Sequence, residues 1–447
     1  MRSITLGGLF TAGVLLHAAA ASAQPALADV RDVKPQQLKS AVFTLNAAQD
    51  LRVEAIGAEP ASDSGMFSWV SAMWHGRETT AEPWMGDAWI VDTASRRVVW
   101  ELSAATTARG RQGTRTFSGT VHLPAGRYEA FYASFPPVTW AREGETGTRQ
   151  RFADWLNNTS FDQFRLTIQG TGQALAGTEA ERARRNLEAG TVIALRGDGH
   201  HRNLQTGFIL DRPTEIEVYS AGEARENTEF DGGWIINADT RQPIWRLSWR
   251  DSAPAGGAVK NRMARLRKTL PAGRYAALYA TDDSHDPSEW NAAPPRDPYA
   301  WGLFVRVVAA EAAPAAIKTF VYEHVPASAV VAAITKVGDD ENTSKRFSVT
   351  AASSIRVYAI GEGSNGRMFD YGWIENAATG QRVWEMKYGD TESAGGDAKN
   401  RLFDRAIRLE KGDYVLHYVS DDSHSYDHWN ASAPRDTAHW GITILNR

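Results

Sequence analysis

Cysteine is absent from this 447-residue chain. Disulfide stapling and thiolate chemistry are therefore excluded, and each folded unit must be held by burial alone. A strong charge of one sign is also missing, since the formal net charge is −4. That balance excludes the broad electropositive surface that engages nucleic acid or anionic membranes. After the N-terminus no run approaches the ~20 apolar residues of a spanning helix. The sequence also has no His-Glu-x-x-His, no Gly-x-Ser-x-Gly and no phosphate-binding glycine loop, which removes the commonest hydrolase and nucleotide signatures. The glycine-rich stretch Gly361 to Gly366 follows a strand pattern without a helix after it, so it reads as a loop.

What is present begins with a secretory pattern. Arg2 gives a short positive region, Ile4 to Ala20 is apolar, and Ala21-Ser22-Ala23 offers a small-x-small cleavage site. The expectation is a signal peptide over residues 1–23, and a periplasmic or secreted protein with no membrane span. Sixteen Trp suit stacking on sugar faces, and they suit a core equally well.

The dominant signal is an internal repeat. FDGGWIINADTRQPIW, from Phe230 to Trp245, returns as FDYGWIENAATGQRVW, from Phe369 to Trp384, 139 residues later. At the same offset AGGAVKNR (Ala255 to Arg262) returns as AGGDAKNR, and TDDSHDPSEWNAAPPRD (Thr281 to Asp297) as SDDSHSYDHWNASAPRD. A third, divergent copy comes first. DAWIVDTASRRVVWEL (Asp87 to Leu102) matches the first block, and LPAGRYEAFYAS (Leu123 to Ser134) matches LPAGRYAALYAT (Leu270 to Thr281). This copy lacks the Lys-Asn-Arg triplet and reads Phe135-Pro136-Pro137-Val138 where the others have Asp-Asp-Ser-His. It also carries an insertion from Met66 to Met85.

The expected organisation is a leader at 24–40, a first repeat at 41–170, and a linker at 171–190 whose Glu/Arg/Ala-rich part reads as an exposed helix. A second repeat follows at 191–310, then a connector and third repeat at 311–447. Within each copy the hydrophobic period is two, as in Ile216 to Tyr219 and Ile355 to Tyr358. Turn signals such as Pro271 to Arg274 recur every 8–12 residues or so, which indicates an all-β fold of three tandem sandwich domains. The Leu-Pro-Ala-Gly-Arg-Tyr turn (Leu270 to Tyr275) and the strand after it resemble the jelly-roll modules of exported bacterial proteins. They are most similar to pre-peptidase C-terminal domains and, more distantly, to GOLD-type sandwiches. The resemblance covers some thirty residues per repeat and implies an accessory module.

Two copies show what the scaffold retains. Strand residues drift, from Ala276-Ala277-Leu278 to Val415-Leu416-His417, while polar loop residues stay fixed, opposite to the usual trend. The retained set is Lys260, Arg262, Asp282, Asp283, His285, Trp290 and Asn291, repeated as Lys399, Arg401, Asp421, Asp422, His424, Trp429 and Asn430. Two readings fit it. One is a ligand site, in which donors, acceptors and a Trp face bind an extracellular glycan, or a peptide or protein. The other is a brace, in which these side chains satisfy one another and close one end of a structural envelope protein.

Calcium is a variant of the first reading, on Asp282, Asp283, Asp286 and Asp297, although Asp286 becomes Ser425 in the other copy. Zinc on His424, His428 and His439 lacks counterparts in the second repeat apart from His285. The carboxylates Glu223/Glu362 and Asp231/Asp370 recur and would suit a glycosidase-type pair only if they faced each other across a cleft. The expectation is a non-enzymatic protein with no required cofactor.

Overall fold

The computed structural model describes residues 26–59, 84–110, 113–136, 164–185, 190–226, 228–282, 284–308 and 317–446. Residues 1–25, which include the expected signal peptide, Asp283 and the connector at 309–316 lie outside this set. The chain is all-β and antiparallel, and its hydrogen-bonded strands fall into three successive groups.

In the second unit, Thr214–Arg225 pairs with Asn261–Leu270 and Gly302–Val307 in one sheet. Gly273–Ala280 pairs with Asn203–Leu210 and Gly232–Asn237 in the facing sheet. The third unit repeats this with Ser353–Ser364 and Gly412–Val419 at the centres of its two sheets. In the first unit the corresponding strands are Gln49–Ala58 and Gly126–Ser134, and a single pairing, Ala58 with Gly86, joins the two faces.

Alternation places Ile216 and Val218 against Tyr275, Ala277 and Tyr279. Removing each such ring or branched chain from water contributes about 1.5–3 kcal/mol. The tyrosines also do polar work. The Tyr after each Gly turn closes its own hairpin, with the hydroxyls of Tyr128, Tyr275 and Tyr414 donating to the carbonyls of Pro124, Pro271 and Glu410 at 2.8–3.0 Å. Four residues on, Tyr132, Tyr279 and Tyr418 reach across to the opposite sheet and donate to Ile56, Ala221 and Ile360 at 2.6–2.7 Å. The fixed Tyr-x-x-x-Tyr spacing therefore has a cause in each repeat.

Four expectations shift. Ala26–Val30, within the expected leader, is a strand paired with Arg165–Gln169. The helix Gly177–Arg184 is not a free linker, because Ala180 and Ala183 are buried against Val42. Small side chains on one face let the helix lie on the sheet. Past the connector, Ile317–Phe320 adds to the second unit's sheet beside Asn203–Leu210. The stretch 361–364 continues a strand and turns only at Asn365-Gly366. Among the described residues no helix is long and apolar enough to cross a membrane.

Candidate functional site

The retained loop residues converge at one end of the second unit and again at the same end of the third. The loop from Asp282 to Asp297 folds back over the turn Gly256-Gly257 and the start of Asn261–Leu270. His285 is fully buried, and its Nε2 lies 2.5 Å from Asn261 Oδ1. Asn261 uses its amide hydrogens on the carbonyls of Gly256 and Ala293 at 2.8 and 2.9 Å. Its oxygen must therefore accept, which fixes the proton on Nε2 of the imidazole. His424, Asn400, Gly395 and Ser432 repeat the arrangement at 2.6, 2.8 and 2.9 Å. Both imidazoles titrate below their ordinary range, chiefly because burial penalises the charged form, with His424 lowered to about 4.

Each histidine also sits at a left-handed backbone position, with φ of +64° for His285 and +57° for His424. A non-glycine residue there is strained by order 1–3 kcal/mol. It persists where the surroundings over-determine it, as this network does.

The aromatic set closes around the imidazole. Trp290 meets His285 edge-on at 4.9 Å and Trp301 at 5.3 Å; Trp429, His424 and Trp440 do the same at 5.1 and 5.0 Å. Trp290 is 8% exposed and Trp429 is half-buried within the third core. Trp290 therefore lacks the flat open face that stacking on a sugar requires. Arg262 is buried, donates to Trp249 O and Ser252 Oγ at 3.1 Å, and stacks over Trp249 at 4.2 Å. Arg401 holds Thr391 and stacks over Tyr388 at 4.5 Å. Lys260 donates to Asn291 at 2.8 Å and pairs with Glu223 at 3.0 Å; Lys399 does so with Asn430 and Glu362 at 2.5 and 3.0 Å. Asn291, Asp422 and Asn430 form an exposed rim.

The recurring carboxylates lie beneath. Asp231 accepts from the Asp282 amide and from Trp301 Nε1, both at 2.8 Å. Asp370 accepts from the Asp421 amide at 2.9 Å. Carboxylate oxygens of Glu362, Asp370 and Asp421 come within 4.8 Å of one another, which makes them the candidate position for a cation among the described residues. Burial and neighbouring carboxylates raise Glu223 to about 7 and Asp370 to about 8. Glu362 is buried and paired with Lys399, and Asp370 is fully enclosed, so the two are not disposed across an open groove as the acid/base pair of a glycosidase would be.

Of the proposed calcium set Asp283 lies outside the described residues, and Asp286 and Asp297 do not converge. Asp286 caps Ser288 and faces His200, while Asp297 points into the first unit. Nor do the three histidines of the third unit: His428 is exposed beside Asp339, and His439 bonds Asp436. Sequence reasoning missed Arg296-Asp297 and Arg435-Asp436. They end the retained loops, and the side chains of Arg296, Asp297 and Arg435 reach the preceding unit, while Asp436 stays in its own, held by Tyr358 and His439. The signal was in the repeat, since Pro-Arg-Asp is identical in both copies. Comparison with family models and with curated proteins finds no match for this chain.

Proposed function

We propose that this chain is a non-enzymatic structural protein of the bacterial cell envelope, exported by its N-terminal signal, whose retained polar loops hold its sandwiches together. The observation that carries this reading is the burial of His285 and His424 in a bonded network that repeats side chain for side chain. A recognition site would present those groups to solvent. Here they face one another. The resemblance of the Gly-Tyr hairpin to accessory exported modules accords with a role without catalysis.

The glycan or peptide reading rests on the exposed Asn291, Asp422 and Asn430 and on the half-buried Trp429. Hydrogen-exchange mass spectrometry on the full chain separates the two. With His424→Ala, amides around 400–402 and 421–430 should lose protection equivalent to about 1–3 kcal/mol, because Asn400 is left with an unmet buried acceptor. Asp422→Ala, at an exposed position, should change it by less than about 0.5 kcal/mol. Equal protection in wild type and His424→Ala would remove the brace and return the loop to ligand binding, to be followed with a glycan array.

A further inference from the structure

Bracing one sandwich does not explain why the loop ends in Pro-Arg-Asp. The destinations of Arg296 and Arg435 do. Arg296 crosses to the first unit, pairs with Asp87 and with Glu101 at 3.0 Å, and lies 4.9 Å over the ring of Trp89. Trp89 Nε1 donates back to the Arg296 carbonyl at 2.7 Å. Arg435 crosses to the second unit, pairs with Glu229 at 2.9 Å, and lies 4.4 Å over Trp234. Trp89 and Trp234 are the same repeat position. Two junctions thus use one device, a guanidinium from the following unit on a tryptophan of the preceding one.

A second arginine runs the other way. Arg96, at the left-handed position of its hairpin turn, forms a bidentate pair with Asp297 of the second unit. Arg241, at the matching turn position, reaches the carbonyl of His324 at 2.6 Å and lies 3.9 Å from Asp404 of the third unit.

The first and third units depart from this pattern in opposite ways. The first lacks the retained loop. The third keeps the loop but has lost the receiving face. The turn arginine becomes Gly380, and Ile236 and Leu278 become Glu375 and His417, which pair at 3.4 Å. Trp373 remains, and the chain's own Arg382 covers it at 4.4 Å, where the earlier units have Val98 and Pro243. A polar outer face is what a unit needs where no neighbour stacks on it.

We propose that Arg296 and Arg435 are docking plugs whose partner is the tryptophan face of the preceding sandwich unit, with Asp297 receiving Arg96 at the first junction, and that Arg382 covers the same face of the third unit. The proposal rests on the brace reading in one respect, since the braced loop is what presents the plug. Gly256 and Gly395 show the fit. A Cβ on either would fall 2.5 or 2.4 Å from the Cγ of Arg296 or Arg435. A buried ion pair contributes little net stability and much orientation, so the plugs fix the angle between units more than they add to folding.

The absence of cysteine makes the test direct. Spin labels at Ser118→Cys and Thr269→Cys report the first junction, and labels at Thr269→Cys and Ala406→Cys report the second, all at exposed strand positions. Pulsed electron resonance on the full chain should give one narrow distance distribution for each pair. Arg296→Ser should broaden the first and spare the second, and Arg435→Ser the reverse. The double change Asp87→Ser/Arg296→Ser removes both charges, so broadening there is not the by-product of a stranded carboxylate. Distributions that stay narrow in all three variants, or that are broad in the wild type, would overturn the plugs. Because the brace is read separately, by exchange in His424→Ala, either reading can fail while the other stands.

Discussion

At the scale of single residues, the buried imidazole and the buried carboxyl beneath it respond to pH in opposite directions. His424 titrates at about 4 in the folded chain, below the ~6.5 of a free imidazole. Its contribution to stability is therefore complete above ~6.5 and is lost as pH falls toward 4, because the unfolded chain takes the proton first. Asp370 titrates at about 8, above the ~3.9 of a free carboxyl. The folded state keeps a proton that the unfolded chain releases, so its contribution is complete below ~4 and is lost as pH rises through about 8. Asp370→Asn retains the carbonyl that accepts from the Asp421 amide and removes the titration. Urea unfolding followed at the third unit should show wild type losing ground against this variant between about pH 5 and pH 8. A stability difference that stays constant over that range would mean that Asp370 is ionised in the fold.

Elements were legible where one strand's own alternation decides its face. Ile216 and Val218 point inward because the period is two, and the Gly-x-Tyr turns are local chemistry. Weak alternation from Lys318 to Val325 suggests an extra strand, but its place on the second unit's sheet, the helix contact of Ala180 and the destination of Arg296 were not legible, because each depends on a surface contributed by a distant part of the chain. The retained set was visible as a set, but burial was not. Asp422 and His424 are equally polar in the sequence, and the fold exposes one and encloses the other. The paired glycines divide along the same line. Gly396, at φ +66°, would place a Cβ 1.9 Å from the backbone oxygen of Ala433, whereas Gly380, at φ +68°, has nothing within 4 Å. Alanine at Gly380 should cost only the left-handed penalty, about 1 kcal/mol. Alanine at Gly396 must in addition push the retained loop aside, and chemical unfolding should show a clearly larger loss. Equal losses would mean that the loop does not bear on that turn.

At the scale of the whole molecule the two junctions use the same plug but different surroundings. Around Trp89 the first unit contributes Val91, Phe131 and Phe135 to a core cluster that continues into Phe208, Tyr275 and Trp301 of the second. Around Trp234 the corresponding face is covered by the chain's own Phe320 and Tyr322, and among the described residues the third unit's core cluster contains none of the second. There the contact is carried by Arg435, by Arg241 and by the Arg356–Asp404 pair holding the connector at His324. Apolar burial couples neighbouring units energetically in a stacked series, and an ion pair with equal desolvation cost does so only weakly. Calorimetry of the full chain should therefore resolve two transitions: one for the first and second units together, and one for the third. Phe131→Ala, which opens the shared core at a cost of about 3–5 kcal/mol, should lower the first transition and leave the second in place. Three separate transitions would mean that the shared cluster does not couple the first two units. A single one would mean that the polar junction transmits as much free energy as the apolar one, and that the plug at Trp234 is a stabilising contact rather than an orienting one.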